Sequence, residues 1–382
     1  MRGRRVFFTG GVVLVAALAA VLGAQGANIH ANARAVCPGP TFASAHCHAW
    51  VTTDSKGNPL VSTSPYGLSP QTIKSVYSFP TSSTAGAGET IAIVDAYDDP
   101  TAESDLNVFS SQYGLPACTT ANGCFRKVNQ NGGSVPPRKD GGWALEISLD
   151  VQWAHAIAPA AKILLVEAST NSFTNLLAAE DYARRNAQYV SNSWGGPEFS
   201  GESSYDSHFS QSGVSFFVSS GDAGLPAEYP SSSPNVISVG GTTLSLSSNG
   251  TLISETGWSE GGGGCSAYET ATSAQSGFSE YGQAACGGRR ATPDVSLDAD
   301  PATGVSVYDS TKYQGQAGWF RVGGTSASSP MWAGRAAVSG ATIDAAYVYG
   351  SSITYRDITS GNNGAPCLAG FDLCSGRGSW VG

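Results

Sequence analysis

The sequence predicts an α/β fold: a mainly parallel central sheet flanked by helices, built as a single domain over residues 66–382. Two observations carry this. Short apolar runs of strand length alternate along the chain with longer segments of helical spacing, the pattern of strand–helix–strand units. Two of the runs also end in small polar residues, "SSGD" at 219–222 and "RVGGTS" at 321–326. Function in such sheets collects at the carboxyl ends of strands.

The elements follow in order. Residues 1–27 run from a basic "MRGRR" through the apolar "VFFTGGVVLVAALAAVLGA" to small residues, the layout of a secretory signal peptide cut within Ala24–Ala27. An uncleaved anchor is the alternative, disfavoured by the run's marginal length. Residues 28–65 are a short N-terminal extension with no regular pattern. Beyond it, "TIAIVDAY" (90–97) is a buried strand and "WALEISLDVQWAHAI" (143–157) a helix. "AKILLVEA" (161–168) is a second strand and "FTNLLAAEDYARRNA" (173–187) an amphipathic helix. "QYVSNSW" (188–194), "SFFVSSGD" (215–222) and "VISVGGT" (236–242) are further strands. Residues 243–320, rich in Gly and Ser, are expected to form loops and short antiparallel pieces.

Composition narrows the function. Signal cleavage removes Arg2, Arg4 and Arg5 and no acids, so the net charge of −9 becomes −12. No basic cluster remains, which argues against nucleic acid as a partner, and no later apolar run suits a membrane span. Only 13% of residues are charged. A low charge count limits self-repulsion when carboxylates are protonated, which suits acid conditions, although secreted hydrolases often share this small-residue habit. The eight cysteines fall in close pairs, Cys37/Cys47, Cys118/Cys124, Cys265/Cys286 and Cys367/Cys374. An even count in an exported chain points to disulfides, nearest-neighbour pairing being the simplest arrangement, and no CxxC zinc pattern is present.

The stretch "RVGGTSASSPMWAG" (321–334) presents Ser326 behind glycines and ahead of an apolar run, as a chain does when it exposes a nucleophilic hydroxyl on a strand-to-helix turn. Such a serine needs a base. Of the five histidines, His30, His46 and His48 lie in the irregular extension and His208 in a polar segment. His155 follows Asp150 by five residues, off that residue's helical face. Glu146 and Asp150 are i and i+4 on the 143–157 helix, which places their Cβ atoms roughly 5–6 Å apart. On a solvated surface such a pair is unremarkable. Here Trp143, Leu145, Ile147, Leu149, Val151 and Trp153 make the helix apolar almost all round, so it is expected to be buried. Two buried carboxylates cannot both ionise easily, and one can hold or accept a proton. In "VSSGDAG" (218–224), Asp222 sits between glycines at the end of a strand. It is either a turn aspartate bonding its own backbone or, when protonated, a hydrogen-bond donor.

Glu-x-x-x-Asp on a helix, "SNSWG", "SSGDAG", "PDVS" and "GGTSASSP", in that order, resemble the sedolisin family of serine-carboxyl peptidases over about residues 66–382. The resemblance implies a subtilisin-like fold, a Ser-Glu-Asp triad, an oxyanion aspartate and one structural Ca²⁺. By position, Ser326 corresponds to the nucleophile, Glu146 to the base, Asp150 to its orienting partner and Asp222 to the oxyanion aspartate. Ser191, Asn192, Ser193, Trp194 and Gly195 correspond to the strand that pairs with extended substrate. In "YRDITSGNNGAPCLAGFDLCSG", Asp357 and Asp372 would supply carboxylates, and Ile358, Leu368 and Gly370 carbonyls, to the ion.

The function implied is a secreted, acid-acting, monomeric endopeptidase on polypeptides. A subtilisin-type neutral protease using His155 and Asp95 and an inactive binding protein on a peptidase scaffold are the alternatives. Asp95, Asp98 and Asp99 in "IAIVDAYDDP" echo the subtilisin aspartate strand and are taken as structural or cleft-lining. Two departures from the family stand out. Only about forty residues lie between the signal and the catalytic domain, where a long pro-domain is usual. Trp380 stands where a proline is common, which would loosen the C-terminal end.

Overall fold

A ten-stranded sheet organises the chain. In this computed structural model, residues 1, 32–41, 43–350 and 352–382 are described; the expected signal peptide, apart from Met1, lies outside them. The central strands are β1 (Thr90–Ala96), β2 (Phe125–Asn129), β3 (Lys162–Ala168), β4 (Tyr189–Asn192), β5 (Ser215–Ser219), β6 (Ile237–Leu246) and β7 (Val295–Asp298). They lie in the order β2-β3-β1-β4-β5-β6-β7 with all these neighbours parallel. Strands buried on both faces need continuous apolar runs, which "IAIV" and "ILLV" supply.

Three helices frame the end of the sheet that carries Ser326: α1 (Gly141–Ile157), α2 (Phe173–Ala183) and α3 (Thr325–Ser339). The Asp140 side chain caps α1 by accepting from the N–H groups of Gly142 and Trp143. From Trp143 to Ile157 every residue of α1 is buried, as its unbroken apolar surround predicts. Its register is clamped by the strand Val305–Tyr313: Trp153 Nε1 donates to the Ser306 carbonyl at 3.0 Å, and Gln152 exchanges two hydrogen bonds with the Tyr308 backbone. α1 packs directly on α3, the helix that begins at Ser326.

The four disulfides join the nearest-neighbour pairs, Cys37–Cys47, Cys118–Cys124, Cys265–Cys286 and Cys367–Cys374. Two sequence expectations differ from the structure, and one strand carried no expectation. Phe125–Asn129, whose "FRKVN" mixes charge with apolar residues, is a strand of the main sheet at its edge. The 243–320 segment carries a long strand, Val305–Tyr313, paired antiparallel with Gln316–Gly323. Trp380 loosens nothing: it is buried, its ring centroid lies 5.1 Å from that of Trp332 on α3, and Arg335 stacks over it. Its strand, Ser379–Trp380, extends the main sheet beside β7.

The described part of the N-terminal extension, from residue 32 on, belongs to the same compact unit as the sheet. Trp50–Thr52 pairs with Gln316–Gly323, and His46–Cys47 with Trp194–Pro197. Among the described residues no helix is long and apolar enough to cross a membrane.

Candidate functional site

The carboxyl ends of β1, β4 and β5 bring Asp95, Ser193 and Ser219–Asp222 to one end of the sheet, where the α3 N-terminus presents Ser326. Gly324 makes the approach possible. Its φ is +94°, and a Cβ there would overlap the His48 carbonyl oxygen and lie 2.7 Å from Asp222 Oδ2. Four residues after Ser326, Pro330 has no N–H to give back to the Ser326 carbonyl. That carbonyl instead takes a long hydrogen bond, 3.5 Å, from Ser193 Oγ, while Ser326 Oγ donates to the Ser193 carbonyl at 3.3 Å.

Glu146 and Asp150 project from α1 into this place, both fully buried. None of their four carboxylate oxygens has a hydrogen-bond partner. Burial raises the pKa of Glu146 well above the usual range, and the neighbouring Asp150 and Asp95 raise it further; Ser326 beside it offsets part of the rise. Burial likewise raises Asp150, with Ser193 and Glu146 pulling back. Asp95 is also raised well above its ordinary range, by burial, then Asp150, then Glu167 opposite it on β3. The result is a buried run of acids, Glu146–Asp150–Asp95–Glu167, that ends at Lys127, whose Nζ lies 3.5 Å from Glu167.

Asp222 takes the third corner. Its Oδ1 accepts from Thr325 N–H and Thr325 Oγ, both at 2.8 Å, and its Oδ2 is buried without a partner. Burial raises its pKa well above the carboxylate range against the lowering pull of those two bonds. A protonated Oδ2 would be a hydrogen-bond donor beside the Ser326 N–H.

The two imidazoles of interest are engaged elsewhere. His155 lies in α1 with Nε2 donating to the Pro116 carbonyl at 2.9 Å, and burial lowers its pKa to about 4. The His48 ring bonds Ser219 Oγ at 2.6 Å and Glu228 Oε2 at 3.1 Å. Burial lowers its pKa, with Glu228 opposing. Asp98 pairs with Lys127, and Asp99 accepts from Thr101 and Thr311.

Of the "SNSWG" residues, Ser191 and Asn192 turn inward: Ser191 Oγ bonds Ser329 Oγ at 2.9 Å, and Asn192 faces the buried Glu180 of α2. Trp194 is anchored through Nε1 to the Val94 carbonyl. The backbone of Ser193–Gly195 is buried, and the chain's own His46–Cys47 pairs with Trp194–Gly195. His48 N–H donates to the Ser193 carbonyl at 3.1 Å, and Ser326 N–H donates to the His48 carbonyl at 3.2 Å. Sequence reasoning missed this contact, as it missed Glu228 and Glu167; the histidines of "HCH" were the one available signal.

The calcium expectation meets a different geometry. Asp372 Oδ1 accepts from Cys374 N–H, Ser375 N–H and Ser375 Oγ, and its Oδ2 accepts from Leu368 N–H. Asp357 Oδ2 accepts from Gly370 N–H. Leu368 and Gly370 therefore give N–H groups to the two carboxylates, and the Cys367–Cys374 bridge closes the loop. Arranged this way, Asp357, Ile358, Leu368, Gly370 and Asp372 do not fit an oxygen cage for Ca²⁺.

Comparison with known proteins agrees with this fold. Residues 137–352 match the Subtilase family. The chain is 29% identical over 367 residues to kumamolisin of Bacillus sp. (strain MN-32), covering 84% of this chain and 63% of that protein. It is 29% identical over 379 residues to sedolisin of Pseudomonas sp. (strain 101), covering 87% and 62%. The chain thus spans about three fifths of the length of these curated relatives. Among solved structures, Pseudomonas sedolisin, a serine-carboxyl proteinase in complex with pseudo-iodotyrostatin, superposes with a TM-score of 0.69 at 30% identity, covering 83% of this chain and 96% of that one. The chain belongs to the subtilase family and, within it, to the sedolisins.

Proposed function

We propose that this chain is a secreted serine-carboxyl endopeptidase that cleaves polypeptides in acid. The observation that carries the proposal is the buried pair Glu146–Asp150, without hydrogen-bond partners and with raised pKa values, beside Ser326. A serine hydroxyl becomes a nucleophile when a neighbouring group takes its proton. Glu146 is placed for that task. The Ser326 oxygen attacks the scissile carbonyl carbon, the proton passes to Glu146, and Glu146 returns it to the leaving amine. Asp150 orients Glu146 and keeps its proton affinity high. The oxyanion is met by the Ser326 N–H and the protonated Asp222. Ionised, Asp222 would repel it, so the reaction belongs to acid conditions.

The subtilisin-type alternative needs an imidazole at Ser326, and His155 is tied to Pro116. Calcium is not carried in this reading, because the oxygens of Asp372 are given to N–H and O–H donors. The chain is taken to act as a monomer, without nucleic acid or membrane. Digesting a denatured protein with the purified chain across pH 3–8, and identifying the cut bonds by mass spectrometry, tests the proposal. Hydrolysis that peaks in acid and vanishes in Ser326→Ala is the expected result. A neutral optimum or no hydrolysis overturns it.

A further inference from the structure

We propose that His46, His48 and Glu228 form a binding site for one transition-metal ion, Zn²⁺ or a close relative, which fastens the N-terminal extension to the body of the molecule. This site is independent of the peptidase reading above.

The three residues meet because of how a small sheet is built. Trp194–Pro197 is its middle strand, with His46–Cys47 on one side and Glu228–Tyr229 on the other, both antiparallel to it. His46 stands opposite Gly195, and the pairing continues through the His48 N–H to the Ser193 carbonyl. Alternation along a strand sends His46 and His48 to one side and Cys47 to the other, where its bridge to Cys37 holds it. The two imidazole rings meet edge to face at 4.9 Å. Gly195 keeps the crossing open: a Cβ there would lie 2.8 Å from His48 Cε1 and 3.2 Å from its Nε2. Glu228 can therefore reach both rings across the middle strand.

The hydrogen bonds around the rings leave ligand lone pairs aimed at one point. Ser219 Oγ donates to the Asn192 carbonyl at 3.4 Å, so at 2.6 Å from His48 it accepts the Nδ1 proton. His48 Nε2 is then the bare nitrogen, and it faces Glu228 Oε2 at 3.1 Å. Two lone pairs at that distance repel each other unless a cation stands between them. An outer hydrogen bond on the far nitrogen is also what fixes a metal-binding imidazole. His46 Nε2 lies 3.7 Å from the same Glu228 oxygen and is buried without a hydrogen-bond partner.

The spacing suits a small tetrahedral ion. All three ligand atoms lie within 4.8 Å of one another. Ligands about 2.0–2.1 Å from Zn²⁺ stand roughly 3.3–3.4 Å apart in a tetrahedron, and the two distances to Glu228 Oε2 fall on either side of that value. Two nitrogens and one oxygen favour Zn²⁺ over Ca²⁺ or Mg²⁺, which take oxygen. The side chains of His46 and Glu228 are 15% and 13% exposed, which leaves an entry path and a fourth position for water.

The test strips the full chain with a chelator, dialyses it at neutral pH and titrates it with Zn²⁺ by calorimetry. One ion per chain is expected, with Tm rising as it loads. Co²⁺ in its place should show the visible bands of a four-coordinate ion. His46→Ala and Glu228→Gln should each weaken binding at least about a hundredfold, and Ser219→Ala about tenfold, the lower end of what loss of an outer partner costs. His46→Gln keeps the bulk of the side chain and should lose the ion as His46→Ala does. Hydrogen exchange at the His48 amide should slow about tenfold when free Zn²⁺ is about ten times its Kd, because opening the extension releases the ion. Unchanged affinity in the His46 and Glu228 variants means an adventitious ion only and overturns the site. So does loss of binding in His208→Ala, whose imidazole pairs with Asp181 elsewhere. Absence of uptake below millimolar Zn²⁺ overturns it too, leaving a proton shared by His48 and Glu228 to hold the cluster.

Discussion

Glu146, fully buried, and Glu228, partly buried, both lie in the neighbourhood of Ser326, and they are driven in opposite directions. Glu146 has acids for neighbours, Asp150 and Asp95, and its pKa rises well above the usual range. Burial would raise Glu228 too, yet the neighbouring His46 and His48, the latter hydrogen-bonded to it, hold it down to about 2. Burial alone therefore does not assign a role. An acid among acids keeps or borrows a proton and suits proton transfer, whereas an acid among imidazoles keeps its charge and suits recognition.

The comparison is broken most severely by removing what both pockets serve. Ser326→Ala should lower peptide hydrolysis by about four orders of magnitude or more, leaving the melting curve close to that of the wild type. Normal turnover in that variant would end the serine reading. Next comes the proton on Asp222. Its pKa is raised, so it is protonated below that value and loses the donor proton as pH rises through it. Activity should fall on that limb. Asp222→Ala should cost roughly 10²–10³ in kcat, while Asp222→Asn, a donor at any pH, should keep measurable activity and carry the limb upward. The full pH–rate profile of each variant is needed, because Glu146 and Asp150 titrate as a coupled pair in the same profile. Equal inactivity of the two folded variants at every pH would show that donation is not what Asp222 supplies.

The same substitution placed in the two pockets sharpens the contrast. Glu146→Gln should lower kcat at least about a hundredfold, in line with loss of a general base. Glu228→Gln should lower kcat far less, because no proton of the proposed reaction passes through Glu228. His155→Ala should cost little activity, and a dead His155→Ala beside a live Glu146→Gln would reverse the assignment. The smallest effect is expected from calcium. With Asp372 committed to N–H donors, excess Ca²⁺ added to the metal-free chain should leave Tm unchanged. A clear rise would show that an ion bound to the folded state adds stability there.

Much of this was legible in the sequence for physical reasons. Strands buried on both faces read as apolar runs, so β1 and β3 stood out, and α1 announced its burial through its all-round apolar surface. Glu146 and Asp150 shared a helical face by spacing alone. What stayed hidden depends on contacts distant in sequence. Glu167 joins the acids because β3 lies beside β1 in register. β2 did not read as a strand, because an edge position tolerates Arg126 and Lys127. The 28–65 extension looked irregular because its short strands take their partners from residues 194–197 and 316–323. No local pattern records such partners.

The strand Trp50–Thr52 pairs Trp50 with Gly323 and Val51 with Val322, just ahead of the turn that carries Ser326. The N-terminal extension is thus fastened at one end to the nucleophile's own strand and, through His46–Cys47, to the edge that Trp194–Pro197 offers. A polypeptide that is to pair with that edge must first displace these backbone hydrogen bonds, so strand exchange rather than chemistry would set the pace of its entry.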